Sequence, residues 1–234
     1  MSIVENIAAL QEKIAEAAKS SRRNPSEVAL MAVTKMHPPE PIREAYDAGL
    51  RLFGENRVQE FAAKASALSN LPGAQWHMIG HLQTNKAAKA AELFSAVDSV
   101  DSLKLAEKLN TAAQAEGKIL HVLIEVNVGG EAAKSGVPPA SPELENLLAA
   151  APTLEALEFR GLMTVPPYTE NPEDSRPYFR QLRTLRDQIA ARNLPGISMD
   201  ILSMGMSHDF EVAIEEGSTC IRIGTAIFGE RAKP

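Results

Sequence analysis

Apolar and polar positions along this chain change period repeatedly, and the changes mark its elements. From about residue 3 to 21, Val4, Ile7, Ala8, Leu10, Ile14, Ala17 and Ala18 recur at helical spacing, which predicts an amphipathic helix. Asn24-Pro25-Ser26 ends it. Short apolar runs then predict strands at 28–34, 50–54, 75–79, 95–100, 119–126, 157–163, 198–202 and 219–223. Helical patterns fall between most of them, at 41–48, 57–68, 84–93, 102–116, 141–150, 172–191 and 209–216. Eight strands separated by helices is the count of a (β/α)₈ barrel. The near-continuous apolar runs suit parallel strands buried on both faces. A doubly wound open sheet is the rival architecture, since periodicity says nothing about closure. The expected fold is an α/β, (β/α)₈ TIM barrel with an extra N-terminal helix, one domain over 1–234. Val137-Pro138-Pro139 and Val165-Pro166-Pro167 read as loops, because no shift in composition follows either.

Composition narrows the class. The 234 residues are 44% hydrophobic and 23% charged, the balance of a globular chain. A net charge of −6 leaves no basic excess for neutralising phosphates, so general nucleic-acid binding is not expected. The basic residues between Arg176 and Arg192 have the spacing of a solvated helix face. Cys220 is the one cysteine, inside an apolar strand, so no internal disulfide forms and a reducing compartment is expected. No signal sequence opens the chain, and no apolar run approaches membrane-spanning length. The expectation is a cytoplasmic protein, monomeric, with no membrane contact.

The candidate chemistry sits where strands end. The first strand runs into Thr34-Lys35 and breaks at Met36-His37-Pro38-Pro39, which puts an amine at the C-terminal edge of a parallel strand, where such folds bind ligands. A partly desolvated lysine there can attack a carbonyl and form a Schiff base; a solvated lysine at a strand end is the plainer alternative. After the seventh and eighth strands come the small-residue loops Ser203-Met204-Gly205-Met206-Ser207 and Gly224-Thr225. Backbone N–H groups can approach an anion closely there, and Ser203, Ser207 and Thr225 add hydroxyls. Ser207 also fits an ordinary helix cap, as does Asn56 in Gly54-Glu55-Asn56. Arg222 lies among apolar residues of the last strand and needs an acceptor or anion, which either a pyridine nitrogen or a nearby carboxylate provides. His77 and His81 have a four-residue spacing, but the strand-like context argues against zinc, and no metal is expected. With Trp76 facing out and His77 in, His77 can pack against a planar ligand. Together the loops and Lys35 suit a ligand with both a phosphate and a carbonyl, and pyridoxal phosphate has both. A sugar phosphate with Lys35 left unmodified is the bland alternative.

These segments, taken in order, resemble a known family. Ala32-Val33-Thr34-Lys35, Phe53-Gly54-Glu55-Asn56-Arg57, the run His77 to Lys86, Gly161-Leu162-Met163, Leu202 to Ser207 and Gly217 to Gly229 are similar to the YggS/PROSC family of pyridoxal phosphate homeostasis proteins. The resemblance implies a barrel like the N-terminal domain of alanine racemase. It implies Lys35 as the Schiff-base lysine, Arg222 facing the pyridine nitrogen, and Ser207, Gly224 and Thr225 on the phosphate with Ser203 beside them. It further implies Asn56 and His77 lining the ring pocket. The implied role is control of free pyridoxal 5'-phosphate, with links to amino-acid and keto-acid balance and to PLP-dependent apo-enzymes as recipients, without robust turnover. A slow racemase-like enzyme is the alternative. Alanine racemases take a second base, a tyrosine, from an additional C-terminal domain; no such domain is expected after the eighth strand here, and the chain's tyrosines are Tyr46, Tyr168 and Tyr178.

Overall fold

The computed structural model describes residues 2–131 and 134–229; the ends of the expected 1–234 span, and Ala132 and Ala133, lie outside the described residues. Its strands are β1 (Ala29–Val33), β2 (Leu52–Glu55), β3 (Gln75–Met78), β4 (Ala96–Val100), β5 (Leu120–Glu125), β6 (Leu157–Met163), β7 (Ile197–Ser203) and β8 (Cys220–Ile223). They pair in sequence order into a closed barrel, all parallel, with β8 returning to β1 through Ala29↔Cys220 to Ala32↔Ile223. Closure settles the choice against an open sheet. The helices are α1 (Ile3–Ser20), α2 (Pro39–Asp47), α3 (Val58–Ala65), α4 (Ala87–Leu93), α5 (Leu103–Ala115), α6 (Pro142–Ala150), α7 (Arg176–Ala190), α8 (Phe210–Glu215) and α9 (Thr225–Phe228).

The extra N-terminal helix has a structural role. The helix after β8, α9, is a single turn and cannot cover the β8–β1 seam. Instead α1 packs against α8, α9 and α2. Its buried stripe, Ile7, Leu10, Ile14, Ala17 and Ala18, is the one its periodicity predicts. A Ser2–Glu5 capping box starts it, and the Asn6 Nδ2 donates to the Ile227 carbonyl at 2.9 Å, tying α1 to α9.

Two helices differ from the sequence expectation in ways that matter. The pattern over 57–68 splits into α3 and a 3₁₀ turn, Ser66–Leu68. On α7, whose basic residues are expected on a solvated face, three of them also converge on one carboxylate from a partly exposed position: Arg176, Arg180 and Arg183 reach buried Glu216 at 3.2, 2.9 and 3.2 Å. Three guanidiniums hold its pKa low against the cost of burial. Among the described residues no helix is long and apolar enough to cross a membrane.

Candidate ligand-binding site

The C-terminal ends of the strands surround a cavity of about 840 Å³, at the upper end of the roughly 300–1,000 Å³ usual for small-molecule sites. Lys35, Asn56, Ser207, Arg222, Gly224 and Thr225, six of the eight residues singled out from the sequence, line it. They come from the ends of β1, β2, β7 and β8, neighbours around the barrel only because it closes.

Lys35 sits in a turn closed by the His37 N–H donating to the Thr34 carbonyl at 3.2 Å. The next residue, Met36, has φ +63°, a left-handed conformation that costs a side-chain-bearing residue about 1–2 kcal/mol. Asn56 caps no helix: α3 begins at Val58 behind Arg57, which leaves the Asn56 side chain to the cavity. Its backbone is fixed by close approach of Gly80, where a Cβ would lie 2.4 Å from the Asn56 carbonyl oxygen. Ser207 caps no helix either. α8 starts only at Phe210, and the turn before it is held by Asp209, whose Oδ1 accepts from the Met206 N–H at 2.7 Å. At α9, the first N–H groups have no partner inside the helix and open toward the side lined by Gly224 and Thr225.

Arg222 is 4% exposed. Its Nη1 donates to Ser203 Oγ and its Nη2 to the Thr164 carbonyl, both at 2.7 Å. Both partners are neutral, and among the described residues its guanidinium forms no ion pair with a carboxylate. Burial pulls its pKa down, opposed in part by the negative fields of Asp98 and Asp209. Ser203 is fully buried and does not line the cavity; it orients Arg222. His77 is not brought to the cavity. It faces inward as strand alternation predicts, while Trp76 faces out and stacks on Phe53. Its Nδ1 lies 3.1 Å from both oxygens of buried Asp98 on β4, and its ring borders a second cavity of about 440 Å³ at the opposite end of the barrel. Among the described residues no cluster of His, Cys, Asp or Glu could hold a metal.

Sequence reasoning missed the far wall. Glu125, at the end of β5, is 6% exposed and lines the cavity with Lys134 and Ser135. Its Oε1 accepts from Ser135 Oγ at 3.0 Å, while Oε2 has no partner. Burial raises its pKa, and the Ser135 hydrogen bond offsets this in part. Tyr168, 80% exposed, forms part of the rim and packs on His208 at 5.5 Å between ring centroids. The signal for Glu125 was available in its place as the last residue of an apolar strand.

The family described as alanine racemase, N-terminal domain, matches residues 6–232. A pyridoxal phosphate homeostasis protein of Aquifex aeolicus is 46% identical over 231 residues, 99% of both chains. The chain belongs to the pyridoxal phosphate homeostasis family. Another relative of that name, from Escherichia coli, is 43% identical over 98% of this chain and 97% of its own. Among solved structures, PipY of Synechococcus elongatus, with PLP bound, superposes with a TM-score of 0.83 at 39% identity, covering 97% of this chain and all of PipY. The alanine racemase of Streptomyces coelicolor shares the barrel (TM-score 0.72), but at 21% identity and over 59% of its length the likeness is one of fold alone. The family membership and barrel expected from the sequence motifs are thus observed.

Proposed function

We propose that this homeostasis-family protein binds pyridoxal 5'-phosphate reversibly on Lys35 and serves intracellular PLP homeostasis and amino-acid and keto-acid balance, rather than fast catalysis. One observation carries the reading: an amine, a buried guanidinium without a carboxylate partner and a cluster of hydroxyl and N–H donors all line one cavity. That donor set fits the cofactor's aldehyde, ring nitrogen and phosphate. The kinship with PLP-named relatives, and with PipY solved with PLP bound, supports it.

In this reading Lys35 would hold the cofactor covalently through its amine at the aldehyde carbon, the carbonyl oxygen leaving as water, and water or a competing amine would release it. When bound, the cofactor supplies that aldehyde and a ring able to draw electrons from a linked carbon. Arg222 would present an N–H to the ring nitrogen while keeping its own proton, which would leave that nitrogen neutral and the ring a weak electron sink. Ser203 and the Thr164 carbonyl hold Arg222 in place. Asn56 would border the ring, and Ser207, Gly224 and Thr225, which line the same cavity, would hold the phosphate. We further read the protein as a cytoplasmic monomer, binding neither nucleic acid nor membrane, with PLP-dependent apo-enzymes as recipients.

The test is an absorption spectrum before and after borohydride, with mass spectrometry of the reduced protein. A pyridoxyl adduct on Lys35, absent in Lys35→Ala, is expected; a colourless protein that takes up no added cofactor overturns the reading. A second reading, a slow racemase-like enzyme, is favoured by Tyr168, a second proton carrier bordering the same cavity as Lys35. It requires exchange of an amino acid's α-proton with solvent, which the first reading does not.

A further inference from the structure

We propose that Lys64, which does not line the cavity, is a positioning residue for Lys35. The inference rests on the reading of Lys35 given above. Lys64 lies near the C-terminal end of α3, and its side chain is 7% exposed. An ammonium has three N–H donors and no acceptor. Lys64 directs Nζ to the Thr34 carbonyl at 2.9 Å, the His37 carbonyl at 3.1 Å and Glu55 Oε1 at 2.7 Å. The first two are the carbonyls on either side of the Lys35-Met36 turn. Lys64 therefore bridges the base of the turn that carries the reactive amine.

Two carboxylates complete the clamp. Glu55, fully buried at the end of β2, accepts from both Lys64 and the Thr34 hydroxyl. Glu60, one helical turn before Lys64, accepts the Met36 N–H and lies 3.4 Å from Lys64 Nζ. Met36 is the residue at φ +63°, so the strained peptide next to Lys35 is held from the Glu60 side and the turn's ends from the Lys64 side. Stability gives little reason for this arrangement. A buried ion pair is often no better than apolar residues of the same volume, and Glu55 leaves its Oε2 without a partner. What an apolar replacement cannot do is hold two carbonyls at a fixed separation. The cluster thus fixes where the Lys35 amine enters the cavity, and a reaction between two groups is sensitive to such placement.

The test compares two ligands in the wild type, Lys64→Met and Glu60→Leu. Pyridoxal 5'-phosphate can link to Lys35; pyridoxamine 5'-phosphate has the same ring and phosphate but no aldehyde, so it reports the rest of the site. Linkage is followed by absorbance and by borohydride trapping at Lys35, and pyridoxamine phosphate binding by calorimetry. Lys64→Met is expected to slow linkage at saturating ligand about tenfold while pyridoxamine phosphate binds as in the wild type. Glu60→Leu should give a smaller slowing in the same direction. Equal losses for both ligands in Lys64→Met, or linkage at the wild-type rate, overturn the positioning role. Should Lys64→Met fail to fold, Glu60→Leu, at a partly exposed position, decides: unchanged linkage overturns the proposal. A wild type that never gains an adduct on Lys35 instead overturns the function reading, and this inference with it.

Discussion

Arg222 and Glu125 are both ionisable and both buried against the same cavity, yet their surroundings treat them differently. Arg222 meets two neutral oxygens, the Ser203 hydroxyl and the Thr164 carbonyl. Glu125 meets a single hydroxyl, and burial favours its neutral form. Because its pKa is raised in the folded state, the folded protein binds this proton more tightly than the unfolded chain. Its contribution to stability is therefore full below the unfolded value, about 4.3, and is lost as pH rises through the folded value. Glu125→Gln removes that titration. The thermal midpoint of the variant, relative to wild type, should accordingly rise between about pH 4 and pH 8; midpoints measured across that range that keep a constant gap would contradict it. Lys35 and Arg222 were legible in the sequence because a charge at the end of, or inside, an apolar run is unusual. Glu125 carried the same signal at the end of β5, though nothing local says that its carboxyl lacks a partner. Lys64 was not legible, because on a helix it reads as one more solvated charge until the turn after β1 is packed over it.

Among the elements, the alternation of strand and helix was readable, and most strands lie within a few residues of the predicted spans. The irregularities were not. The β5–β6 and β6–β7 ladders each shift register next to Gly161. There φ is +155°, and a Cβ would lie 1.8 Å from the Ile201 carbonyl oxygen. No side chain fits, so Gly161→Ala must push β7 away from β6. A loss of about 3 kcal/mol is expected, measured by urea unfolding; a change near zero would mean the ladder absorbs the methyl group. The shortened α8 is a second irregularity, with a functional result: it frees Ser207 from capping and leaves it on the cavity. The N-terminal helix was predicted as an element, but its place in the helical ring was not, because that place depends on α9 being too short to fill it.

For the molecule as a whole, the proposed function is that of a monomer. Loading with pyridoxal 5'-phosphate should therefore not depend on protein concentration. The bound fraction per chain, measured by absorbance over a hundredfold dilution at fixed free cofactor, is expected to stay constant; a fall on dilution would mean that a second copy completes the site. The sequence by itself determined the strand and helix periods, the family motifs and the chemistry waiting at the ends of β1, β2, β7 and β8, because these are local properties of side chains and short runs. Tertiary structure alone decided that β8 closes on β1 and so brings Arg222 and Thr225 beside Lys35. It also decided that His77 turns to Asp98 and the opposite end of the barrel, and that Lys64 holds the Lys35 turn. Those outcomes depend on barrel closure and strand tilt, which set distances between residues far apart in the chain and leave no trace in local pattern.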